Sequence, residues 1–250
     1  MSSEQPLDVI VARLQPVGDN DLIVSLLSSE RGRVDAYVRA GRKSSRRFGG
    51  RLELFRKGTA RLRAGRGRLP SLVGLEDARQ LLAPGASYGV LCLASYAAEL
   101  ALIAAQPEHA DVELAGWLEQ SLAMAADCDE ETLAVARLAL EVAFLGAAGW
   151  MPSVARCHAC GAELGGGAAW PAFADGPVCA RCAPGGHVDL DATALAALMA
   201  LRGGDASAAR LDVLPTEQLE LLGARVVGLL HDALPRRPRS ADALAALIAS

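Results

Sequence analysis

The chain has 250 residues, 52% of them apolar and only 4% aromatic, and a formal charge of −4. That length and apolar content support one large domain or two to three small ones and exclude a disordered chain. Abundant Ala and Leu with few aromatics point to close-packed helices beside one small sheet domain, an α+β chain and not an all-β one.

From Leu7 to about Asp77 the pattern is short, alternating and punctuated by turns. Residues 8–14 (DVIVARL) predict a strand, 18–21 a turn and 22–28 (LIVSLLS) a second strand. Glu30-Arg31-Gly32-Arg33 predicts a tight hairpin into a third strand over 34–39. A basic polar loop, 40–50 (AGRKSSRRFGG), follows. Residues 51–55, 59–63 and 69–75 read as further short strands, with Gly65 and Gly67 marking a turn. Five or so antiparallel strands in this space suit a small barrel of the OB-fold type.

Beyond Pro84 the pattern changes to helical periods. Residues 88–106, 111–126 and 130–149 predict long helices, separated by Pro107 and the turn Asp127-Cys128-Asp129. In the third, Leu133, Leu140, Phe144 and Ala147 share a face, and Gly149 with Pro152 beyond it ends the helix. Residues 88–105 are long enough to be weighed as a membrane span, but they include Glu99 and hold Ala, Ser and Gly where Leu and Ile would be expected. A buried helix is the expectation. Helical patterns return over 191–201, 216–234 and 240–249, where Ser240 suits an N-cap. The expected organisation is an OB-fold nucleic-acid-binding domain at 1–80, a helical domain at 81–154 and 188–250, and a zinc-binding, ribbon-like insertion at 155–187.

That insertion carries Cys157, Cys160, Cys179 and Cys182 in the spacing C-x2-C-x18-C-x2-C. A structural zinc ion needs four ligands on a tetrahedron, and each CxxC turn supplies two thiolates, so two turns close the shell. Gly161 can take the positive φ that turns backbone amides toward sulfur, and Arg156, His158 and Arg181 lie near enough to offset charge. A CxxC redox centre is the competing reading, but the βαβ context it requires is absent. His158 and His187 are alternative ligands that four cysteines make unnecessary. A closed site leaves no open coordination position, so Zn2+ here is expected to be structural and not catalytic. Cys92 and Cys128 stand apart and read as small apolar groups.

Charge is unevenly distributed. Residues 31–68 hold fourteen bases against two acids, a net of +12, while the remainder, with eleven bases and twenty-seven acids, carries −16. A solvated surface is one reading of such a run. The scarcity of acids and the excess of arginine, whose planar fork fits phosphate oxygens, favour contact with a polyanion. The candidate nucleic-acid contacts are Arg31, Arg33, Arg39, Arg42, Lys43, Arg46, Arg47 and Arg51. Tyr37, Phe48 and Phe55 are the aromatics available there for stacking, and Phe55 reads better as a core side chain.

Enzymatic signatures are missing: the sequence has no GxxxxGK[ST], GxSxG or HExxH, and no cluster of His with carboxylates. The first residues lack a basic region followed by a long apolar stretch and a cleavage site, so no secretory signal is expected. A cytoplasmic location is expected, with no membrane association.

Several segments resemble the RecO family of bacterial recombination mediators. They are Val17-Gly18-Asp19-Asn20-Asp21-Leu22, Ser29-Glu30-Arg31-Gly32-Arg33, the run from Arg39 to Gly50 with Leu52 and Phe55, and Glu141, Phe144, Leu145, Gly149, Trp150 and Pro152 ahead of Cys157 and Cys160. The resemblance implies an N-terminal OB-fold, a helical domain and an inserted zinc ribbon. It implies binding of single- and double-stranded DNA, annealing of complementary strands, and action with RecR to load RecA onto DNA covered by single-strand-binding protein. Association with the nucleoid is an expectation that goes with the resemblance. Family members also bind the acidic C-terminal tail of single-strand-binding protein through the helical domain, and Arg137 is the one base in its helix that offers itself for that contact. The rival readings are a zinc-ribbon adaptor that binds RNA or an acidic protein, and a redox enzyme using the CxxC pairs.

Overall fold

A computed structural model describes residues 5–43, 46–48, 50, 52–64, 67–172, 174–205 and 209–248, with the side chains of Gln5 and Arg46 excepted. Five strands form its first part: β1 (Gln5–Val17), β2 (Asp21–Ser28), β3 (Gly32–Val38), β4 (Arg56–Arg63) and β5 (Ser71–Gln80). They close into a barrel in the order β1-β2-β3-β5-β4, antiparallel throughout except where β3 meets β5 in parallel through Tyr37 and Ser71. This is the expected OB-like barrel. Thirteen residues of β1 serve two partners, the first half pairing with β4 and the second with β2, with a bulge between Val11 and Arg13.

Alternation makes the core. In β3 every second residue is buried, so Val34, Ala36 and Val38 point inward beside Val9 and Val11 of β1 and Val24 and Leu26 of β2. Phe48, fully buried, plugs the barrel from the short 3-10 turn Arg46–Phe48. Removing that ring would leave a cavity costing about 3–5 kcal/mol.

The segment expected as a strand at 51–55 is not one. Arg51 lies outside the described residues, and Leu54-Phe55 forms a turn in which Phe55 has φ +62°. Its N–H donates to the Val11 carbonyl, and its own carbonyl accepts from the Leu81 N–H. The apolar pair Leu52 and Phe55 that suggested a strand is buried from a connector.

Helices α1 (Tyr88–Ala104), α2 (Val112–Ala126), α3 (Leu133–Ala147), α4 (Ala192–Arg202), α5 (Thr216–Ala233) and α6 (Ser240–Ile248) follow. Ser87 caps α1 by accepting from the Val90 N–H, Asp111 caps α2 through the Leu114 N–H, and Asp191 caps α4 through the Ala194 N–H. No helix among the described residues is long and apolar enough to cross a membrane.

Contacts divide the chain into two compact units, one comprising residues 1–133 and 238–250 and the other 134–237. In the first, α1 packs on β1 and β2, and α2 and α6 pack on α1. The β2–β3 hairpin is tied to the α1–α2 linker: Arg33 N–H donates to Gln106 O and Asp111 N–H to Ser29 O. Glu119 of α2 binds Lys57 at 2.6 Å and Arg79 at 2.7 Å, joining β4 and β5 to the helix.

In the second unit, α3 ends in a left-handed turn at Gly149, where the Trp150 N–H returns to Leu145 O. The cysteine segment has short bridges at Arg156–Glu163, Ala168–Leu190 and Ala169–Val178. Its core is Trp170, 1% exposed, whose backbone N–H donates to Asp189 and whose carbonyl accepts from Arg225 of α5.

Candidate metal centre and nucleic-acid interface

Two turns bring the cysteines together. In the first, Gly161 at φ +75° folds back so that its N–H donates to Cys157 O, while the Cys157 N–H donates to Ala162 O. In the second, the Cys182 and Ala183 N–H groups both donate to Cys179 O. The His158 N–H donates to Pro177 O, and the Cys179 N–H to the Cys157 sulfur at 3.3 Å, locking the turns to each other.

The ligand atoms of Cys157, Cys160, Cys179 and Cys182 all lie within 4.8 Å of one another, and the Cys160 and Cys179 sulfurs are 3.7 Å apart. A disulfide needs about 2.05 Å, and all four thiols are free. Ligands on a tetrahedron at metal–sulfur distances of 2.3 Å sit about 3.8 Å apart, so the donor set fits a metal ion. His158 and His187 are exposed and take no part in the cluster.

The four thiols pull one another's pKa values apart. Burial opposes ionisation of Cys157, but the N–H groups of Cys179, Cys160 and Ala159 outweigh it and bring its pKa down to about 6. Cys160 and Cys179 push Cys182 up to about 12. Four thiols in one small volume cannot all ionise unless a positive charge stands among them. Arg181, raised by its contact with Cys179, supplies only part of it.

On the barrel, the structure sorts the candidate bases. Arg31 pairs with Glu108, its Nε 2.7 Å from the carboxylate, and Arg33 holds Asp35 at 2.7 Å. Arg39, Lys43 and Arg47, with Ala40, line a shallow, open pocket of about 420 Å³. Arg42 is exposed and donates from its guanidinium to Asp19 O at 3.2 Å. The side chain of Arg46 and all of Arg51 lie outside what the structure describes. Other members of the +12 run serve the fold: Arg56 is buried and donates to Phe48 O and Ala78 O, and Arg61 pairs with Glu76 at 3.0 Å.

Phe48 and Phe55 are both core side chains, which leaves Tyr37 half-buried on the outer face of β3. Its hydroxyl donates to Asp21, whose other oxygen accepts from the Ala40 N–H. Sequence reasoning placed Asp21 in a turn and gave it no role. Arg137 donates to Glu141 at 2.8 Å, a pair in which Glu141 is buried and Arg137 partly so.

A closed OB-like barrel with a basic pocket on its rim, a helical region, and four cysteines clustered in turns between α3 and α4 at distances that fit a metal ion define a barrel-and-helix protein. The chain belongs to the RecO family of DNA repair proteins. The family model for the N terminus of recombination protein O matches residues 1–80, and that for its C terminus matches residues 87–241. The chain is 38% identical over 229 residues to the DNA repair protein RecO of Anaeromyxobacter sp. (strain K), covering 89% of each. It is 30% identical over 240 residues to that of Myxococcus xanthus, covering 95% of this chain and 96% of the relative. With the RecO of Thermobifida fusca the identity is 33% over 203 residues, covering 78% and 80%.

Proposed function

We propose that this protein is a recombination mediator acting by binding and not by covalent catalysis: it holds single- and double-stranded DNA, anneals complementary strands, and with RecR helps load RecA onto DNA coated by single-strand-binding protein. The observation that carries the reading is the cavity lined by Arg39, Lys43 and Arg47 on an OB-like barrel in a RecO-family chain. Bases on that rim neutralise phosphates, which lowers the repulsion between two strands and frees their counterions. Arg39, Arg42, Lys43 and Arg47 form the centre of the DNA path, with Arg46 and Arg51 beside them in sequence. Arg31 and Arg33 lie at the opposite end of β3, where their acids compete with phosphate.

Zn2+ is the metal we assign to Cys157, Cys160, Cys179 and Cys182. When bound, it neutralises the thiolates and fixes the two turns; a four-sulfur shell offers no position for substrate. The three-part division into residues 1–80, the helical regions and the insertion at 155–187 is proposed as the functional one. The tail of single-strand-binding protein is proposed to dock on the helical region, with the protein acting in the cytoplasm at the nucleoid.

The test is binding of a labelled single strand across a salt series, with annealing measured in parallel. Affinity should fall steeply with salt, and Arg39→Ala with Lys43→Ala should cost more than Arg31→Ala with Arg33→Ala. Binding that ignores salt, or a strong preference for RNA of equal length, would favour an RNA or acidic-protein adaptor instead. Failure to capture either RecR or the tail peptide of single-strand-binding protein would count against the mediator role.

A further inference from the structure

An acid stands beside the basic pocket, bonded to the backbone of Ala40, one of its lining residues. Asp21 opens β2, opposite Val17 of β1. One of its oxygens accepts from the Tyr37 hydroxyl on β3, and the other accepts from the Ala40 N–H at 2.6 Å. Ala40 itself lines the cavity and sits at φ +51°, a left-handed conformation that an alanine adopts only when its surroundings hold it there.

Further bonds dock the same segment on the β1–β2 turn. The Arg42 N–H donates to Asn20 O at 3.1 Å and its guanidinium to Asp19 O. Gly41 lies so close to Val38 and Leu22 that a Cβ would meet their side chains at 2.9 and 3.0 Å. On the far side, Arg47 reaches back to donate to Arg39 O, with its guanidinium 5.0 Å from the centre of the Phe48 ring that plugs the barrel. Ala40 is thus held by the Asp21 carboxylate, and Arg47 lies against the Phe48 ring.

A carboxylate beside an anion site repels the anion, so its contribution must be geometric. We propose that Asp21 is the positioning residue of a phosphate cradle formed by Arg39, Lys43 and Arg47, holding the turn at Ala40 so that the three cations converge on one phosphate group. This rests on the DNA-binding reading above and adds to it a residue that never touches DNA. Two hydrogen bonds and the nearby Arg39 keep the Asp21 carboxyl below its ordinary range, so the carboxylate persists at neutral pH.

Two substitutions separate geometry from charge. Asp21→Asn keeps an oxygen for the Ala40 N–H, lets its amide donate to the tyrosine oxygen, and removes the repulsive charge. Asp21→Ala removes the same charge and both bonds. Affinity of the full chain for a labelled oligothymidylate is read by anisotropy across a salt series, with Tm recorded for each variant.

The cradle predicts opposite signs. Asp21→Asn should bind as tightly as the parent or tighter, whereas Asp21→Ala should bind about fivefold more weakly and lose about one unit of the slope of log affinity against log salt. Asp21→Ala placed on a variant in which Arg39, Lys43 and Arg47 are all Ala should add nothing, because the groups it positions are gone. If Asp21→Ala does not fold, Tyr37→Phe carries the test, since it removes one bond and should weaken binding at least twofold at unchanged Tm. Equal or tighter binding by Asp21→Ala, or by Tyr37→Phe where that carries the test, overturns the proposal while leaving the DNA-binding reading intact. Unchanged binding when Arg39, Lys43 and Arg47 are all replaced overturns the DNA-binding reading itself.

Discussion

Glu99, the only acid in the apolar helix α1, accepts hydrogen bonds from both the backbone N–H and the hydroxyl of Ser240, at 3.0 and 2.9 Å. The two residues are 141 positions apart, and the contact fixes the first turn of α6 against α1. Ser240 therefore begins the helix, and a carboxylate from another helix satisfies its N–H and meets the positive end of the helix dipole. Replacing Glu99 with Ala should cost about 1–2 kcal/mol, and hydrogen exchange should accelerate in α6 before it does in the barrel. Unchanged exchange in α6 would remove Glu99 from that role.

Gly32 opens β3 at φ +57°, and a Cβ there would press into the carbonyl oxygens of Gln106 and His109 in the α1–α2 linker. Both the backbone conformation and the space exclude a side chain. Gly32→Ala should lower stability by about 2–3 kcal/mol in denaturant titrations. Full stability would mean that the linker can give way, and that the hairpin is not tightly joined to it.

Asp35 gives the barrel a dependence on acid. Burial raises its pKa, but the guanidinium of Arg33 and the hydroxyl of Ser25, bonded at 2.7 and 2.6 Å, outweigh burial and leave it lowered. A carboxylate lowered in the folded state contributes stability above its unfolded pKa of about 3.9 and loses it as the pH falls through the folded value. Denaturation midpoints measured from pH 6 to pH 3 should fall more steeply for the parent than for Asp35→Asn. Parallel curves would deny Asp35 this part.

The cysteine cluster predicts one metal ion per chain and slow alkylation of four thiols until a chelator is added. Cys157→Ser or Cys179→Ser should reduce soluble yield and Tm first, and the fraction that remains folded should still bind DNA. A variant that keeps its fold without metal yet loses DNA binding would move the centre from scaffold to function.

Much of this was legible in the residues because it is local. The alternation of Val34, Ala36 and Val38 announced β3, and the repeated CxxC spacing announced the cluster. The misreading at 51–55 has a physical reason: Leu52 and Phe55 are buried as a strand's residues would be, but the φ of +62° at Phe55 leaves no periodic mark. The true length of β1 was hidden because it extends to serve two neighbours, and pairing is a tertiary property.

Charge was the least legible quantity. A run of +12 counts side chains but not their partners, and Glu108, Glu76 and Glu119, all outside the run, answer Arg31, Arg61 and Lys57. Glu119 lies 62 residues from Lys57, a pairing that no local window contains.

Because residues 238–250 belong with 1–133, the unit at 134–237 is an insertion within the first. During synthesis, α1 must wait for more than a hundred residues to leave the ribosome before α6 arrives to cover it. The cysteine-bearing unit can be finished while the first is still open on its α1 face, so the four cysteines can come together before the barrel's own unit is complete. A chain stopped after Arg237 would lack the closing piece of the first unit and none of the second.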